Sequence, residues 1–70
     1  MYNLRNGGII SERDYVGKTL EEAKKYAEDG GFIVRVVEED GVAKMLDMSV
    51  KDNRINFRIK RGQVTNVYPG

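Results

Sequence analysis

The chain has 70 residues, of which 33% are charged and 40% hydrophobic, and its formal net charge is +1. This length allows one domain with a small core, and the near balance of charge gives no electrostatic reason to expect nucleic acid or an anionic membrane as a partner. Because cysteine and histidine are both absent, disulfides, Cys/His zinc sites, thiol nucleophiles and histidine-based triads are excluded.

The first 14 residues predict a flexible N-terminal segment ahead of a single domain at residues 15–70. A Gly7-Gly8 pair, two isoleucines and scattered charge make a continuous helix unfavourable there. The segment lacks an apolar run long enough for a signal peptide, and no later stretch is long enough to span a bilayer. The expected location is either the cytoplasm or, for a secreted protein in its mature form, outside the cell.

The clearest local pattern predicts a helix at residues 19–29. Thr19 followed three residues later by Glu22 forms a capping box, in which each side chain is expected to bond the other residue's backbone N–H. Gly30-Gly31 ends the helix, with one glycine available for the left-handed position after it. One third of the helix circumference is apolar or aromatic, and it carries Leu20, Ala23, Tyr26 and Ala27.

Residues 32–37, FIVRVV, predict the first strand because they are rich in β-branched and aromatic residues. The segment is apolar on both faces except at Arg35, which suits a central strand covered by the helix. Residues 54–60, RINFRIK, predict a second strand by strict alternation. Its apolar positions face the core, and its polar positions face water or the preceding loop.

A tight turn at Arg61-Gly62 leads to a third, shorter strand at residues 63–68. The predicted fold is α+β, with one helix packed on a small mixed three-stranded sheet. The connection between the first two strands is long enough to carry the chain back over an edge, so these strands are expected to run parallel. A long exposed loop then lies between two parallel strands.

This connection, residues 38–53 (EEDGVAKMLDMSVKDN), is 16 residues long and has no clear pattern of its own. Compact domains rarely carry a structureless connection longer than about 12–15 residues, so we expect it to be the working part. One alternative is that Val42 and either Met45 or Leu46 fold back onto the sheet. Because the core is small, at least one large apolar side chain of the loop should still face solvent, where it can anchor in a partner's pocket.

Neither catalysis nor metal binding is indicated by the polar residues of the loop. Ser49 with Lys51 or Lys44 imitates a serine–lysine pair, but the chain offers no deep pocket or oxyanion hole to complete it. The aspartates of the loop lack the alternating oxygen ligands of a calcium loop. We therefore predict no catalytic residue, no metal ligand and no cofactor, and interpret these charges as a solvated surface.

Three blocks of the sequence resemble the potato inhibitor I family of serine-protease inhibitors, most closely its small, disulfide-free bacterial branch. Residues 16–25, VGKTLEEAKK, match the family's entry into its helix nearly word for word. Met48 lies six residues before Arg54, as the family's primary specificity residue precedes a supporting arginine. The closing strands at residues 54–57 and 64–70 are also similar, and the resemblance covers residues 15–70.

The resemblance implies a substrate-like inhibitor that enters a protease cleft in extended form and is not an enzyme. Its reactive bond would be Met48–Ser49, and methionine there suits the apolar primary pockets of subtilisin-type or chymotrypsin-type serine endopeptidases. Arg54 and Asn56 would support the loop, and the inhibitor is expected to be a monomer. The implied protease-binding loop consists of Val42, Ala43, Lys44, Met45, Leu46, Asp47, Met48, Ser49, Val50 and Lys51.

The sequence departs from the family around the reactive bond. The family usually has threonine before the reactive residue, an acidic residue after it and two arginines on the following strand. Here the flanking residues are Asp47 and Ser49, and Asn56 replaces the second arginine. We expect Asp47 to pair with Arg54 and Ser49 to bond Asn56, in contacts worth about 0–1 kcal/mol each. The alternative for Arg54 is an ordinary solvated strand residue.

Two other interpretations stay open. Residues 16–37 also resemble the PASTA module, a cell-wall-binding repeat with a similar helix entry and valine-rich strand. The later sequence lacks the Pro-x-Gly and Gly-x-x-Val pattern of such modules. The third possibility is an accessory module that binds a protein through the same fold without inhibiting anything.

Overall fold

A computed structural model of the chain describes residues 2–3, 9–46, 49 and 51–70. One helix, a four-stranded mixed sheet and a small two-stranded sheet make up an α+β domain. The elements are β1 (Tyr2–Asn3), β2 (Ile9–Ile10), a 3₁₀ helix (Glu12–Asp14), α1 (Leu20–Asp29), β3 (Ile33–Glu39), β4 (Val42–Ala43), β5 (Arg54–Lys60) and β6 (Gln63–Pro69).

The predicted capping residue begins α1. Thr19 has extended backbone angles, and its Oγ1 accepts a hydrogen bond from the Glu22 N–H at 3.3 Å. The Glu22 carboxylate accepts from the Thr19 hydroxyl at 2.9 Å, where the sequence predicted a bond to the Thr19 N–H. Gly31 has a φ of 87°, the left-handed conformation expected just after the helix. In the described part of the chain, no helix is long and apolar enough to cross a membrane.

Thr19→Ala is expected to lower the free energy of unfolding by about 1 kcal/mol, because it removes the acceptor for the Glu22 N–H. Urea denaturation followed by circular dichroism measures the change. Thr19→Ser keeps the capping oxygen and is the matched control, with a stability close to that of the original chain. Equal stabilities for the alanine and serine variants would contradict the capping role.

The main sheet has the strand order β4-β3-β5-β6. β3 and β5 run parallel, and β6 is antiparallel to β5. The predicted count of three strands is wrong, because β4 pairs antiparallel with the end of β3. Asp40 and Gly41 both have positive φ, at 52° and 82°, as the two-residue turn of a tight hairpin requires. This Asp-Gly signal was present in the sequence, inside the segment interpreted as a loop.

The core lies between α1 and one face of the sheet. Phe57 and Ile55 of β5 are fully buried there, against Ala23 and Ala27 of the helix. Ala23 and Ala27 are both 0% exposed, on the apolar side of the helix that the sequence predicted. On the opposite face of β5, Arg58 and Lys60 are exposed, whereas the two polar residues before them are buried.

Residues ahead of the predicted domain boundary also contribute to the core. β1 and β2 pair antiparallel, and the Ile10 side chain is 1% exposed. Tyr15 is buried as well, with its ring centre 5.6 Å from that of Phe57. Its burial, and then the nearby Tyr26 and Asp14, raise the pKa of Tyr15. Ile10 therefore belongs to the same core as Tyr15, the first residue of the predicted domain.

Candidate functional site

The connection between the two parallel strands must carry the chain back along the sheet. β3 has seven residues, so this return covers about 23 Å at roughly 3.3 Å per residue. Its first part stays beside β3, since β4 pairs there and the Lys44 N–H donates to the Val37 carbonyl at 2.9 Å. An exposed Lys44–Glu39 ion pair at 3.2 Å adds little. The loop is thus held against the sheet as far as Lys44.

The turn before β4 is fixed to the turn between β5 and β6. The Asp40 N–H donates to the Ile59 carbonyl at 2.9 Å, and the Asp40 Oδ1 accepts from the Arg61 N–H at 2.8 Å. Arg61 and Gly62 have positive φ, like the residues of the first turn. Two tight turns are therefore joined side by side, and they form the first anchor of the loop.

Beyond this anchor, the apolar side chains point into solvent. Met45 is 103% exposed, Val42 is 68% exposed and Leu46 is 42% exposed. The suggested fold-back of Val42 and Met45 or Leu46 onto the sheet is therefore wrong. The expectation that at least one large apolar residue faces solvent is confirmed. These three exposed apolar side chains lie within five residues of one another in the sequence.

Arg54, at the start of β5, forms the second anchor. Its side chain is 5% exposed, so the alternative of a solvated strand residue is wrong. The Nη2 atom donates to the Ser49 carbonyl at 2.6 Å, and Nη1 lies 3.4 Å from the Ser49 Oγ. The Nε and Nη2 atoms also donate to the Gly70 carbonyl oxygen, at 3.0 and 2.7 Å. The Arg54 guanidinium therefore joins Ser49 of the loop to Gly70, which follows β6.

Asn56 is buried completely, next to Arg54 on the same face of β5. Its Oδ1 accepts from the Arg35 Nε at 2.7 Å, and its Nδ2 donates to the Tyr68 carbonyl at 3.4 Å. The Asn56 amide therefore binds Arg35 and Tyr68, and not Ser49 as the sequence predicted. Arg35 was missed as a site residue, and the single charge in its apolar strand was the available signal.

Three predicted loop residues, Asp47, Met48 and Val50, lie outside the described residues. The expected Asp47–Arg54 ion pair and the Met48–Ser49 reactive bond therefore stay predictions. Ser49 is among the described residues, and its carbonyl oxygen accepts a hydrogen bond from Arg54. A supporting role for Arg54 requires such a contact with the loop.

No group of three or more metal-binding side chains occurs among the residues that the structure describes. An open groove of about 440 Å³ lies beside the C-terminal end of α1, and none of the described loop residues lines it. Its lining residues are Ser11, Asp14, Tyr15, Tyr26, Asp29, Gly30 and Phe32. This groove and the exposed apolar residues of the loop are therefore separate features.

Comparison of the chain with models of known protein families, with curated proteins and with solved structures gives no match. The resemblance to the potato inhibitor I family thus stays a prediction from the three sequence blocks. The site described above is a loop with exposed apolar residues between a pair of joined turns and a buried arginine.

Proposed function

We propose that this protein is a substrate-like inhibitor of serine endopeptidases, with residues 42–51 as the exposed binding loop between two parallel strands and Met48–Ser49 as the reactive bond. The observation that carries the proposal is the pair of hydrogen bonds from the buried Arg54 to Ser49. They hold the residue that would follow the cleaved bond. The exposed loop residues before that bond supply the contact surface.

Anchoring at both ends favours inhibition over digestion. A loop that is already held in place loses little conformational entropy when a protease binds it. If the bond before Ser49 is cut, a new amino group forms on Ser49, whose carbonyl oxygen is 2.6 Å from the Arg54 Nη2. The amine then stays near the acyl group on the enzyme, and re-forming the peptide bond becomes an effectively intramolecular step.

The exposed side chains favour a protease with an apolar primary pocket. Met48 would enter that pocket, and a flexible thioether side chain adapts well to such a site. Met45 and Leu46 lie just before it and are exposed by 103% and 42%. Serine endopeptidases of the subtilisin or chymotrypsin type fit this pattern, and a single copy of the chain would be sufficient to bind one.

Met48→Lys is expected to raise the inhibition constant for subtilisin by at least about 30-fold, the effect of losing a central contact worth about 2 kcal/mol. A lysine side chain would bring an ammonium group into an apolar pocket. The experiment titrates the protein against subtilisin and chymotrypsin and measures residual activity. Met45→Lys is the matched control, because it makes the same change at an exposed position outside the primary pocket, and its effect should be several-fold smaller.

Rapid degradation of the unaltered protein with no inhibition of either protease would contradict the proposal. Retention on peptidoglycan regardless of Met48 would favour the PASTA-like alternative. Capture of a protein other than a protease by the intact loop, and not by a Gly/Ser replacement of it, would favour the accessory-module alternative. These three outcomes are distinguishable.

A further inference from the structure

Arg54 and Asn56 form a buried polar cluster on β5. A second arginine, Arg35, reaches this cluster from the neighbouring strand β3. In the parallel register, Ile33 lies beside Arg54 and Arg35 lies beside Asn56. Val34 and Val36 pack against the core, and side chains alternate along a strand, so Arg35 lies on the face away from α1. Arg35 and Asn56 are therefore neighbours on the face that carries Arg54.

The contact between Arg35 and Asn56 fixes the orientation of a buried amide. Asn56 is 0% exposed, and its Oδ1 lies 2.7 Å from the Arg35 Nε. An ionised donor at this distance makes a strong hydrogen bond. With Oδ1 held by Arg35, the Nδ2 group points toward the Tyr68 carbonyl, to which it donates at 3.4 Å.

The Asn56 amide also lies near Gly70. Both the Gly70 carbonyl and the Ser49 carbonyl accept hydrogen bonds from the Arg54 guanidinium. A Cβ atom added to Gly70 would lie 3.3 Å from the Asn56 Nδ2, so the amide occupies the side of Gly70 where a side chain would project. The Gly70 N–H donates to the Arg54 carbonyl at 3.1 Å. The Gly70 carbonyl oxygen accepts from two nitrogens of the same arginine. Three hydrogen bonds therefore join Gly70 to Arg54.

We infer that Arg35 is a positioning residue for the loop. It holds Asn56, which places the segment from Tyr68 to Gly70, and Gly70 then directs the Arg54 guanidinium toward Ser49. A guanidinium from β3 thus supports the loop where the resembling family uses a second arginine from the strand that follows the loop. The predicted effect on inhibition rests on the proposed function, whereas the predicted effect on the order of the loop near Ser49 does not.

Arg35→Met tests this inference, because methionine keeps most of the apolar stem and removes the guanidinium. Two rates are measured: inhibition of subtilisin, and cleavage within residues 42–51 by thermolysin, a metalloprotease, followed by mass spectrometry. We expect the inhibition constant and the thermolysin cleavage rate each to rise about tenfold, as for the loss of a charge-assisted hydrogen bond. Arg35→Lys should recover only part of the effect, since one ammonium does not reproduce the guanidinium geometry.

Two control variants separate positioning from general stability. Lys60→Met removes an exposed charge on the same face of β5 and should change neither rate. Thr19→Ala lowers stability at the helix cap and should leave cleavage within the loop unchanged under native conditions. The pair Arg35→Met and Asn56→Leu forms a double-mutant cycle, in which the double variant should be no worse than the more severe single variant.

Unchanged loop cleavage in Arg35→Met would overturn the inference, and so would additive effects of Arg35→Met and Asn56→Leu. If the unaltered protein inhibits no serine endopeptidase, the proposed function fails, and the thermolysin measurement still decides whether Arg35 orders the loop. If the unaltered protein inhibits, and variants of Met48 and Arg54 weaken inhibition whereas Arg35→Met does not, the proposed function stands and the role of Arg35 is refuted.

Discussion

Arg54→Met is expected to convert the protein from an inhibitor into a substrate. The buried guanidinium donates to the carbonyl oxygens of both Ser49 and Gly70, and methionine donates to neither. A hydrogen bond from a charged group contributes about 1.5–3 kcal/mol. We expect the inhibition constant to rise by at least about 100-fold, equivalent to roughly 3 kcal/mol, and the cleaved Met48–Ser49 bond to stay open.

The measurement combines inhibition of subtilisin with mass spectrometry of the products over time. Arg58→Met is the matched control, because Arg58 is an exposed arginine on the same strand and should change neither result. Arg54→Lys should be intermediate, since a single ammonium lacks the guanidinium's several fixed donors. Inhibition by Arg54→Met equal to that of the unaltered protein would contradict the bracing role of Arg54.

The helix and the core strands could be predicted from the sequence because their signals are local. Thr19 and Glu22 are three residues apart, and the helix-capping contact between them depends only on that spacing. The alternation around Phe57 likewise specifies which face of β5 packs into the core with the helix. Hydrophobic period and capping chemistry act within a few residues, so they are legible without knowledge of the tertiary fold.

The support of the loop could be predicted only in part. Arg54 was proposed as a supporting residue only through the family resemblance, in which an arginine follows the primary specificity residue, and it contacts Ser49. Arg35 was not proposed, because its contact with Asn56 joins residues 21 apart and depends on the register of two parallel strands. Sequence pattern gives the faces of each strand but not the register between them. β4 is a different case, since its Asp-Gly turn was a local signal that was interpreted as loop.

The buried polar cluster has a cost in stability that an apolar face would avoid. Arg54 and Asn56 are 5% and 0% exposed, and burying polar groups is unfavourable unless each finds its hydrogen-bond partners. No buried side-chain nitrogen or oxygen in the described part of the chain lacks a partner. Directional bonds fix Ser49 in one place, which nonspecific apolar packing would do less well. If the proposed function holds, this face of β5 carries polar residues that support the loop in place of apolar residues that would add to the core.

Phe57→Ala is expected to have the largest effect on stability. Phe57 is 0% exposed at the centre of β5, and its ring packs against that of Tyr15. Truncating a buried phenylalanine to alanine costs about 3–5 kcal/mol. A domain of this length has a total stability of roughly 4–10 kcal/mol. A large unfolded fraction should therefore be present at 37 °C, measurable by urea denaturation and by loss of circular dichroism.

The pattern of cleavage distinguishes this failure from loss of the arginine brace. In Phe57→Ala, thermolysin should cut throughout the chain, because cleavage follows global unfolding. In Arg54→Met, the cuts should stay within residues 42–51 while the helix signal persists. Phe57→Leu is the matched control, and it should cost about 1–1.5 kcal/mol and retain inhibition. Cleavage of Phe57→Ala confined to residues 42–51 would contradict this prediction. It would mean that the loop opens without unfolding of the core.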